Sequence, residues 1–188
     1  HTLHLLDLIP VLSYIVLKGQ CRYCHHKLNK NLLIHEVTAG FLFVLFYLHD
    51  GLNILYLSHI CILTCFYIIS IIDFHLYEIP DSYLLISLLT SFKMIYLKES
   101  LLFLLFLILF VYFFYKIEGK EGLGGGDIKM LGVCTLSLGF YQTLSILSIA
   151  CFLGIIFSFI NKKKMIPFGP FIAIGWLTIS LFDSFLIL

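Results

Sequence analysis

Two aspartates stand out in this sequence, because each lies at the edge of a long apolar stretch that has almost no other charge. Asp73 ends one such stretch, and Asp127 follows three consecutive glycines, Gly124, Gly125 and Gly126. A carboxylate is costly to bury in a membrane, so an acid in this position indicates a functional site. Two carboxyl groups brought close together share one proton, because both cannot ionise cheaply, and such a pair can activate water.

Hydrolysis of a peptide bond by such a pair needs one protonated acid and one ionised acid. The protonated acid polarises the carbonyl group, and the ionised acid takes a proton from water. This chemistry requires no metal and no organic cofactor. The glycines at 124–126 lack the side chains that would keep another backbone away from Asp127. We therefore interpret Asp73 and Asp127 as a candidate dyad and the glycines as a substrate-approach loop.

Each acid also has a simpler structural interpretation. Asp127 could cap the helix that begins at Ile128, and Asp73 could mark a helix end before a polar loop. Asp81 follows Pro80 and is typical of a helix start, which favours a structural role for it. A glycine loop that cradles pyrophosphate is a third alternative, but the G-x-G-x-x-G pattern after a strand is absent. The occurrence of both acids together at apolar helix ends favours the dyad.

The composition excludes a soluble enzyme. Hydrophobic residues make up 61% of the 188 residues and charged residues only 12%, whereas soluble domains have roughly 25% charged residues. A lipid bilayer is therefore the expected surrounding of most of the chain. The net charge of +1 offers no concentrated basic face, so we expect no nucleic-acid partner.

The apolar segments predict an all-α fold, a polytopic bundle of transmembrane helices with about seven embedded segments. These segments are 36–49, 52–72, 82–98, 99–116, 128–142, 143–160 and 168–187. Several are shorter than the roughly 20 residues of a full crossing, and 128–142 could be a re-entrant helix. We expect residues 1–35 to form a short cytoplasmic loop segment and residues 36–188 to form the transmembrane domain. Because the sequence begins with His1 rather than Met, we expect an N-terminally truncated fragment.

The distribution of positive charge predicts the orientation in the membrane. If the basic N-terminal segment is cytoplasmic, the loops at 73–81, 117–127 and 161–167 also lie inside. Ten of the twelve Lys and Arg residues then fall on the cytoplasmic side, and only Lys93 and Lys98 fall outside. This topology carries Asp73 and Asp127 to the same cytoplasmic face of the plasma membrane.

Cys21 and Cys24 form a CxxC pair in the basic N-terminal segment, beside His25 and His26. Two thiolates at this spacing could hold a zinc ion, but a structural zinc site needs four ligands. The site is therefore incomplete within this sequence unless a histidine substitutes for a missing cysteine. The other four cysteines lie in apolar segments, where they are expected to be small buried side chains.

Several segments match the motifs of one known family. They are 7–14, 18–24 with the CxxC pair, Glu36, 73–81, 121–129 with the Gly-Gly-Gly-Asp run, and 166–171, which reads Ile-Pro-Phe-Gly-Pro-Phe. With these motifs the chain resembles the type IV prepilin leader peptidases, which are membrane aspartyl proteases of the GxGD class. The resemblance covers nearly the whole length. The apolar, lysine-rich composition and the single CxxC are similar to competence-type enzymes of Gram-positive bacteria.

The resemblance implies that Asp73 and Asp127 are the catalytic pair, and that 36–188 is a transmembrane aspartyl peptidase domain. The implied substrates are prepilins and pseudopilins, cut on the cytoplasmic side just after a glycine that precedes an apolar helix. Many members of the family also methylate the new N-terminus with S-adenosylmethionine. Full-length members have a further N-terminal helix and often an earlier CxxC, so both metal binding and methylation remain open for this chain.

Three other functions compete with this interpretation. A transporter or channel would use the two acids to bind a cation or relay protons, and would place them near the bilayer midplane. A non-catalytic scaffold would use Cys21 and Cys24 for docking and would tolerate changes at the acids. A signal-peptide peptidase would be expected to have Tyr before its first catalytic Asp, whereas Ile72 precedes Asp73 here.

Overall fold

The computed structural model describes residues 4–91, 96–118, 123–162 and 165–182. The chain divides into two compact units, residues 1–52 and residues 53–188. The described residues form helices and no strand, apart from one isolated bridge between Gln20 and Lys27. The all-α prediction is therefore confirmed. The predicted boundary between a cytoplasmic segment and a membrane domain at residues 35 and 36 stays a prediction.

The N-terminal unit contains a 3-10 helix, Leu5–Leu8, followed by a short helix α1, Leu12–Val16, and a long helix α2, Lys30–Asp50. Helix α2 begins where the side chain of Asn29 accepts a hydrogen bond from the backbone N–H of Asn31. It ends at Gly51, whose φ of 70° suits a residue without a side chain.

The described residues of the second unit form six helices. They are α3 (Ile54–Leu76), α4 (Asp81–Ser91), α5 (Leu97–Glu118), α6 (Gly125–Leu138), α7 (Phe140–Asn161) and α8 (Gly169–Phe182). Helix α6 lies at the centre, since it packs against α4, α5, α7 and α8. Every residue of α6 from Met130 to Leu138 is buried. This central helix is the platform that carries Asp127 at its N-terminal end.

Two predicted segment boundaries are wrong. Asp73 does not begin a loop, because α3 continues for another turn to Leu76 before Tyr77 ends it in a left-handed conformation, with a φ of 57°. The predicted segments 128–142 and 143–160 in fact meet at Gly139, whose φ of 99° breaks the chain between α6 and α7. At Asp73 a charge ends the apolar run although the helix continues, and at Gly139 the apolar run continues across a break in the helix, so an apolar pattern locates neither boundary.

Three helices, α2, α3 and α7, are long and apolar enough to cross a membrane. Helix α8 is apolar but shorter, with 14 residues. Many large apolar side chains on α5 and α7 are exposed, including Phe106, Phe110 and Phe159. Such surfaces suit lipid rather than water, so the chain is a membrane protein. Embedding of the remaining predicted segments stays a prediction.

Candidate active site

Asp73 lies in the last turn of α3 and is almost fully buried, with 5% of its surface exposed. Its Oδ2 atom accepts a hydrogen bond of 2.8 Å from the backbone N–H of Gly169, the first residue of α8. The first N–H groups of a helix have no partner within the helix and therefore favour a carboxylate. Asp73 is thus held by a residue 96 positions further along the chain.

Helix α8 is able to present Gly169 because it packs against both α3 and α7. Its first turn closes where the carbonyl of Phe168 accepts hydrogen bonds from the N–H groups of Phe171 and Ile172. A side chain at Gly169 would place a Cβ 2.9 Å from Oδ2 of Asp73. The close approach of this backbone to the carboxylate therefore depends on glycine.

Asp127 lies in the first turn of α6, where an acid complements the helix dipole. Its Oδ1 atom is buried and has no hydrogen-bond partner among the described residues. Asp73 and Asp127 are close enough to interact electrostatically. The structure therefore brings the two predicted acids together from helices that are far apart in sequence.

The three glycines before Asp127 have different surroundings. A Cβ on Gly124 would lie 3.0 Å from Oδ2 of Asp127, so this glycine leaves room for the carboxylate itself. A Cβ on Gly126 would lie 2.7 Å from Cβ of Ile79, in the connection between α3 and α4. Only a Cβ on Gly125 would meet nothing within 4 Å. Of the three, Gly125 is therefore the one whose open face suits the predicted approach of a substrate.

Asp81 lies in the first turn of α4 and is exposed, as a helix-start residue is expected to be. Its Oδ1 atom forms an ion pair of 2.6 Å with Nζ of Lys129 on α6. This ion pair joins α4, which follows Asp73, to α6, which carries Asp127. Asp81 therefore already has a partner, and it lies in solvent. The surroundings of Asp81 are therefore unlike those of Asp73 and Asp127.

Gly169 contacts Asp73, and Ile79 lies against Gly126 in the loop before Asp127. The residue pattern alone gave neither of them a role. Gly169 lies within 166–171, a segment that matched a family motif without an assigned chemistry. The signal that could have found it is a glycine at the start of an apolar helix, where N–H groups are available to an anion. No comparable signal marks Ile79, because one isoleucine in an apolar chain is unremarkable.

The CxxC pair lies in a tight turn of the N-terminal unit. The backbone N–H groups of Cys24 and Tyr23 donate to the sulfur of Cys21 and lower the pKa of that thiol. The described residues nevertheless contain no group of three or more His, Cys, Asp or Glu side chains that could hold a metal ion. Two thiols do not make a closed zinc site. The residues present therefore do not fit a structural zinc, and the predicted zinc is not supported.

A comparison with known families identifies the chain. A family model described as the type IV leader peptidase family matches residues 59–159, more than half of the length and both candidate acids. The chain belongs to this family. A second model, described as the bacterial Peptidase A24 N-terminal domain, matches residues 1–49. The resemblance inferred from the motifs is confirmed.

Relatives in this family come from several bacteria. A prepilin leader peptidase/N-methyltransferase of Dichelobacter nodosus is 32% identical over 95% of this chain and 67% of that protein. Proteins with the same name are 27% identical in Bacillus subtilis (strain 168), covering 96% of this chain and 78% of the relative, and 28% identical in Neisseria gonorrhoeae, covering 94% and 66%. No solved structure matches significantly.

Membership of the type IV leader peptidase family makes this chain a protease. The transporter alternative is not favoured, because the relatives share one enzymatic name over nearly the whole chain. The family match does not itself assign roles to individual residues. The catalytic roles of Asp73 and Asp127 stay predictions, now with a geometry that can be argued.

Proposed function

We propose that this chain is an aspartic endopeptidase that removes the leader peptide of type IV prepilins or pseudopilins at the cytoplasmic face of the plasma membrane. The substrate class follows from the names of the relatives and from the resemblance of this chain's motifs to those of the family. Asp73 and Asp127 are the proposed catalytic pair. The observation that carries this proposal is that two carboxyl groups, one buried and one with an unpartnered oxygen, lie within electrostatic range of each other at the ends of α3 and α6.

The surroundings of the pair suit peptide hydrolysis. A buried carboxyl oxygen without a partner costs free energy, so it persists where another group binds during function. Oδ1 of Asp127 is such an atom. The carbonyl oxygen of a peptide, or the attacking water, would supply the missing hydrogen bond. The open face of Gly125, which lies two residues away, supports an approach of the substrate backbone from that side.

The chemistry needs only these two acids, one water and the peptide. The water oxygen attacks the carbonyl carbon while the ionised aspartate takes a proton from the water and the protonated aspartic acid gives its proton to the carbonyl oxygen. A tetrahedral diol results. When the diol collapses, the C–N bond breaks. The aspartate that took a proton from water gives this proton to the leaving nitrogen, and the other aspartate recovers a proton from a diol hydroxyl group. The dyad returns to its starting state.

Methylation of the new N-terminus is included in the proposal because the relatives' names contain N-methyltransferase. S-adenosylmethionine would supply the methyl group. The described residues offer no contact that identifies a site for this molecule, so no step is derived for it. Transfer of a radiolabelled methyl group to a peptide that begins at the cleaved end would test this second activity directly.

The peptidase proposal is tested with a prepilin-like peptide and the purified protein in detergent. Replacement of Asp73 or Asp127 by Asn keeps the shape of the side chain but removes the exchangeable proton. We expect cleavage to fall by about 10²-fold to 10⁴-fold in each variant, the usual contribution of acid–base catalysis. The measurement is the initial cleavage rate, with product identity confirmed by mass spectrometry.

Asp81→Asn is the matched control, since it makes the same chemical change at an exposed acid on the next helix. We expect this variant to cleave within about twofold of the wild type, because an exposed ion pair contributes little. Full activity in Asp73→Asn or Asp127→Asn would rule out the dyad. A folded wild-type protein that cleaves no prepilin-like peptide would instead count against the substrate class.

A further inference from the structure

We propose that Gly169 is a positioning residue of the dyad, and that its backbone N–H holds Asp73 as the ionised member while Asp127 carries the shared proton. This inference rests on the proposed function, since it assigns the two acids of that site their separate roles. Its basis is the hydrogen bond of 2.8 Å from Gly169 N–H to Oδ2 of Asp73.

The two acids differ in how much a bound proton would stabilise each of them. An N–H donor at a helix N-terminus stabilises a carboxylate and does nothing for a protonated oxygen that is itself a donor. Asp73 has such a donor, at the start of the 14-residue helix α8. The backbone N–H of Gly124 also donates a hydrogen bond to the carboxyl group of Asp127, but Oδ1 of Asp127 is buried with no partner among the described residues. Charge on that oxygen would be neither solvated nor paired. A shared proton is therefore more stable on Asp127.

The missing side chain of Gly169 matters as much as its N–H. A Cβ there would lie 2.9 Å from Oδ2, 3.4 Å from Cγ and 3.5 Å from Cβ of Asp73. The closest atom is the end of a side chain that can rotate, so an added methyl group would displace the carboxylate rather than the helix. Displacement would weaken the hydrogen bond and move the base away from its water.

Few other titratable groups compete for this role. At this end of the elements around Asp73, these are Asp127 and Lys129 on α6, Asp81 and Tyr83 on α4, His75 on α3 itself, and Tyr77 and Glu78 in the connection between α3 and α4. The remaining titratable side chains of α3, such as His59 and Tyr67, lie further toward its N-terminus. Helix α8 has no titratable side chain between Gly169 and Phe182. Lys129 and Asp81 pair with each other, and His75 is exposed. The two acids thus differ in that Asp73 is held by an N–H group from another helix, whereas Asp127 is held only by the Gly124 N–H of its own turn and keeps Oδ1 without a partner among the described residues.

The first test compares Gly169→Ala with Gly175→Ala in the prepilin-peptide assay across pH. In a dyad the acidic limb of the rate profile follows ionisation of the base. We expect Gly169→Ala to lower kcat on the order of 10-fold to 100-fold and to move the acidic limb upward by about one pH unit, because a hydrogen bond to a charged group is lost. KM should change little, because the substrate does not contact Gly169.

Gly175→Ala is the control on the same helix. A Cβ at Gly175 would lie 2.9 Å from the backbone oxygen of Ile146, so crowding is similar but no acid is touched. We expect a lower midpoint of thermal unfolding and an unshifted pH profile. If both variants lower kcat with unshifted profiles, Gly169 has only a packing role and the inference is wrong.

A second measurement needs no variant at Gly169. Phe168–Gly169 is the only Phe–Gly pair in the sequence, so ¹³C-carbonyl-Phe and ¹⁵N-Gly labelling selects one amide signal. We expect the chemical shift of this amide in the wild-type protein to titrate with the same midpoint as the acidic limb of cleavage, and to become independent of pH in Asp73→Asn. A signal that follows the alkaline limb would give the roles to the opposite acids. A wild-type protein that cleaves nothing while this amide still titrates would overturn the proposed function and leave the contact intact.

Discussion

The two acids of the candidate site are positioned in different ways. Asp73 is held by a hydrogen-bond donor that arrives from α8, at the far end of the chain. Asp127 receives a backbone hydrogen bond only from its own turn, at Gly124, and its Oδ1 atom has no partner among the described residues. Its position is otherwise limited by the glycine turn and by Ile79 against Gly126. One carboxyl group is held by a distant helix, and the other by its own turn and by the space that neighbouring side chains leave.

This difference has a physical consequence for the dyad. A directional hydrogen bond restricts Asp73 to one orientation and stabilises its charge. Steric boundaries at Asp127 restrict where the carboxyl group can go but leave one oxygen available for an incoming partner. A fixed base beside an available acid is an arrangement suited to a substrate that must enter and leave. Variants at the glycine turn can break this contrast between the two acids.

Among the variants that test this contrast, the largest effect is expected at Gly126. A Cβ here would lie 2.7 Å from Cβ of Ile79, an atom fixed to the backbone that cannot rotate away. We expect Gly126→Ala to destabilise the protein by about 1–3 kcal/mol through overpacking, a decrease in the thermal midpoint of roughly 2–10 °C in detergent. Cleavage should fall with it, because Asp127 is the next residue.

The double variants show whether Ile79 is the cause. Ile79→Ala retains the Cβ atom that makes the contact, so Gly126→Ala with Ile79→Ala should remain unstable. Gly126→Ala with Ile79→Gly removes that atom and should recover part of the lost thermal midpoint. If both double variants recover the thermal midpoint equally, the atoms of Ile79 beyond Cβ, and not the close packing at its backbone, set the position of this turn.

The sequence was sufficient for the helical class and the membrane environment, and it singled out Asp73 and Asp127, whose catalytic roles stay predictions. Each of these depends on a local property, either a run of apolar residues or a charge placed within one. For Asp81 the pattern favoured a structural role, because a residue after Pro80 has the marks of a helix start. The structure places Asp81 in an exposed ion pair, in agreement with that view.

The parts that could not be predicted depend on contacts between distant segments. No local pattern specifies that Gly169 reaches Asp73 or that Ile79 packs on Gly126. The last turn of α3 was missed because polar residues follow Asp73, although a left-handed Tyr77 is what ends the helix. The break at Gly139 was missed because apolar residues flank it on both sides.

A smaller effect is expected from the other two glycines, and it should differ in kind between them. Gly124→Ala would place a Cβ 3.0 Å from Oδ2 of Asp127, so the carboxyl group must shift by a few tenths of an ångström. We expect kcat to fall about tenfold with little change in KM. Gly125→Ala meets no atom of the described residues within 4 Å and should instead raise KM, because the methyl group occupies the face proposed for the substrate backbone.

Steady-state kinetics with the prepilin-like peptide separate these outcomes. The comparison is internally controlled, since both variants add one methyl group to adjacent residues. If Gly125→Ala also lowers kcat and leaves KM unchanged, the substrate does not approach over Gly125. If Gly124→Ala has wild-type kinetics, steric boundaries do not position Asp127, and the contrast with Asp73 loses its basis.

The smallest effect is expected at the ion pair between Asp81 and Lys129, which joins α4 to α6 near both acids. The two side chains lie 2.6 Å apart, but 73% of Asp81 and 57% of Lys129 is exposed, so water and salt screen their attraction. A double-mutant cycle with Asp81→Asn and Lys129→Gln should give a coupling free energy of about 0.2–1 kcal/mol that falls as salt rises. Cleavage should stay within about twofold in all three variants. A coupling well above this range, or a large loss of cleavage in either single variant, would mean that this exposed pair helps to fix the start of α6. Asp127 would then depend on attraction between charges as well as on excluded space, and the two acids would be positioned more alike than their immediate contacts indicate.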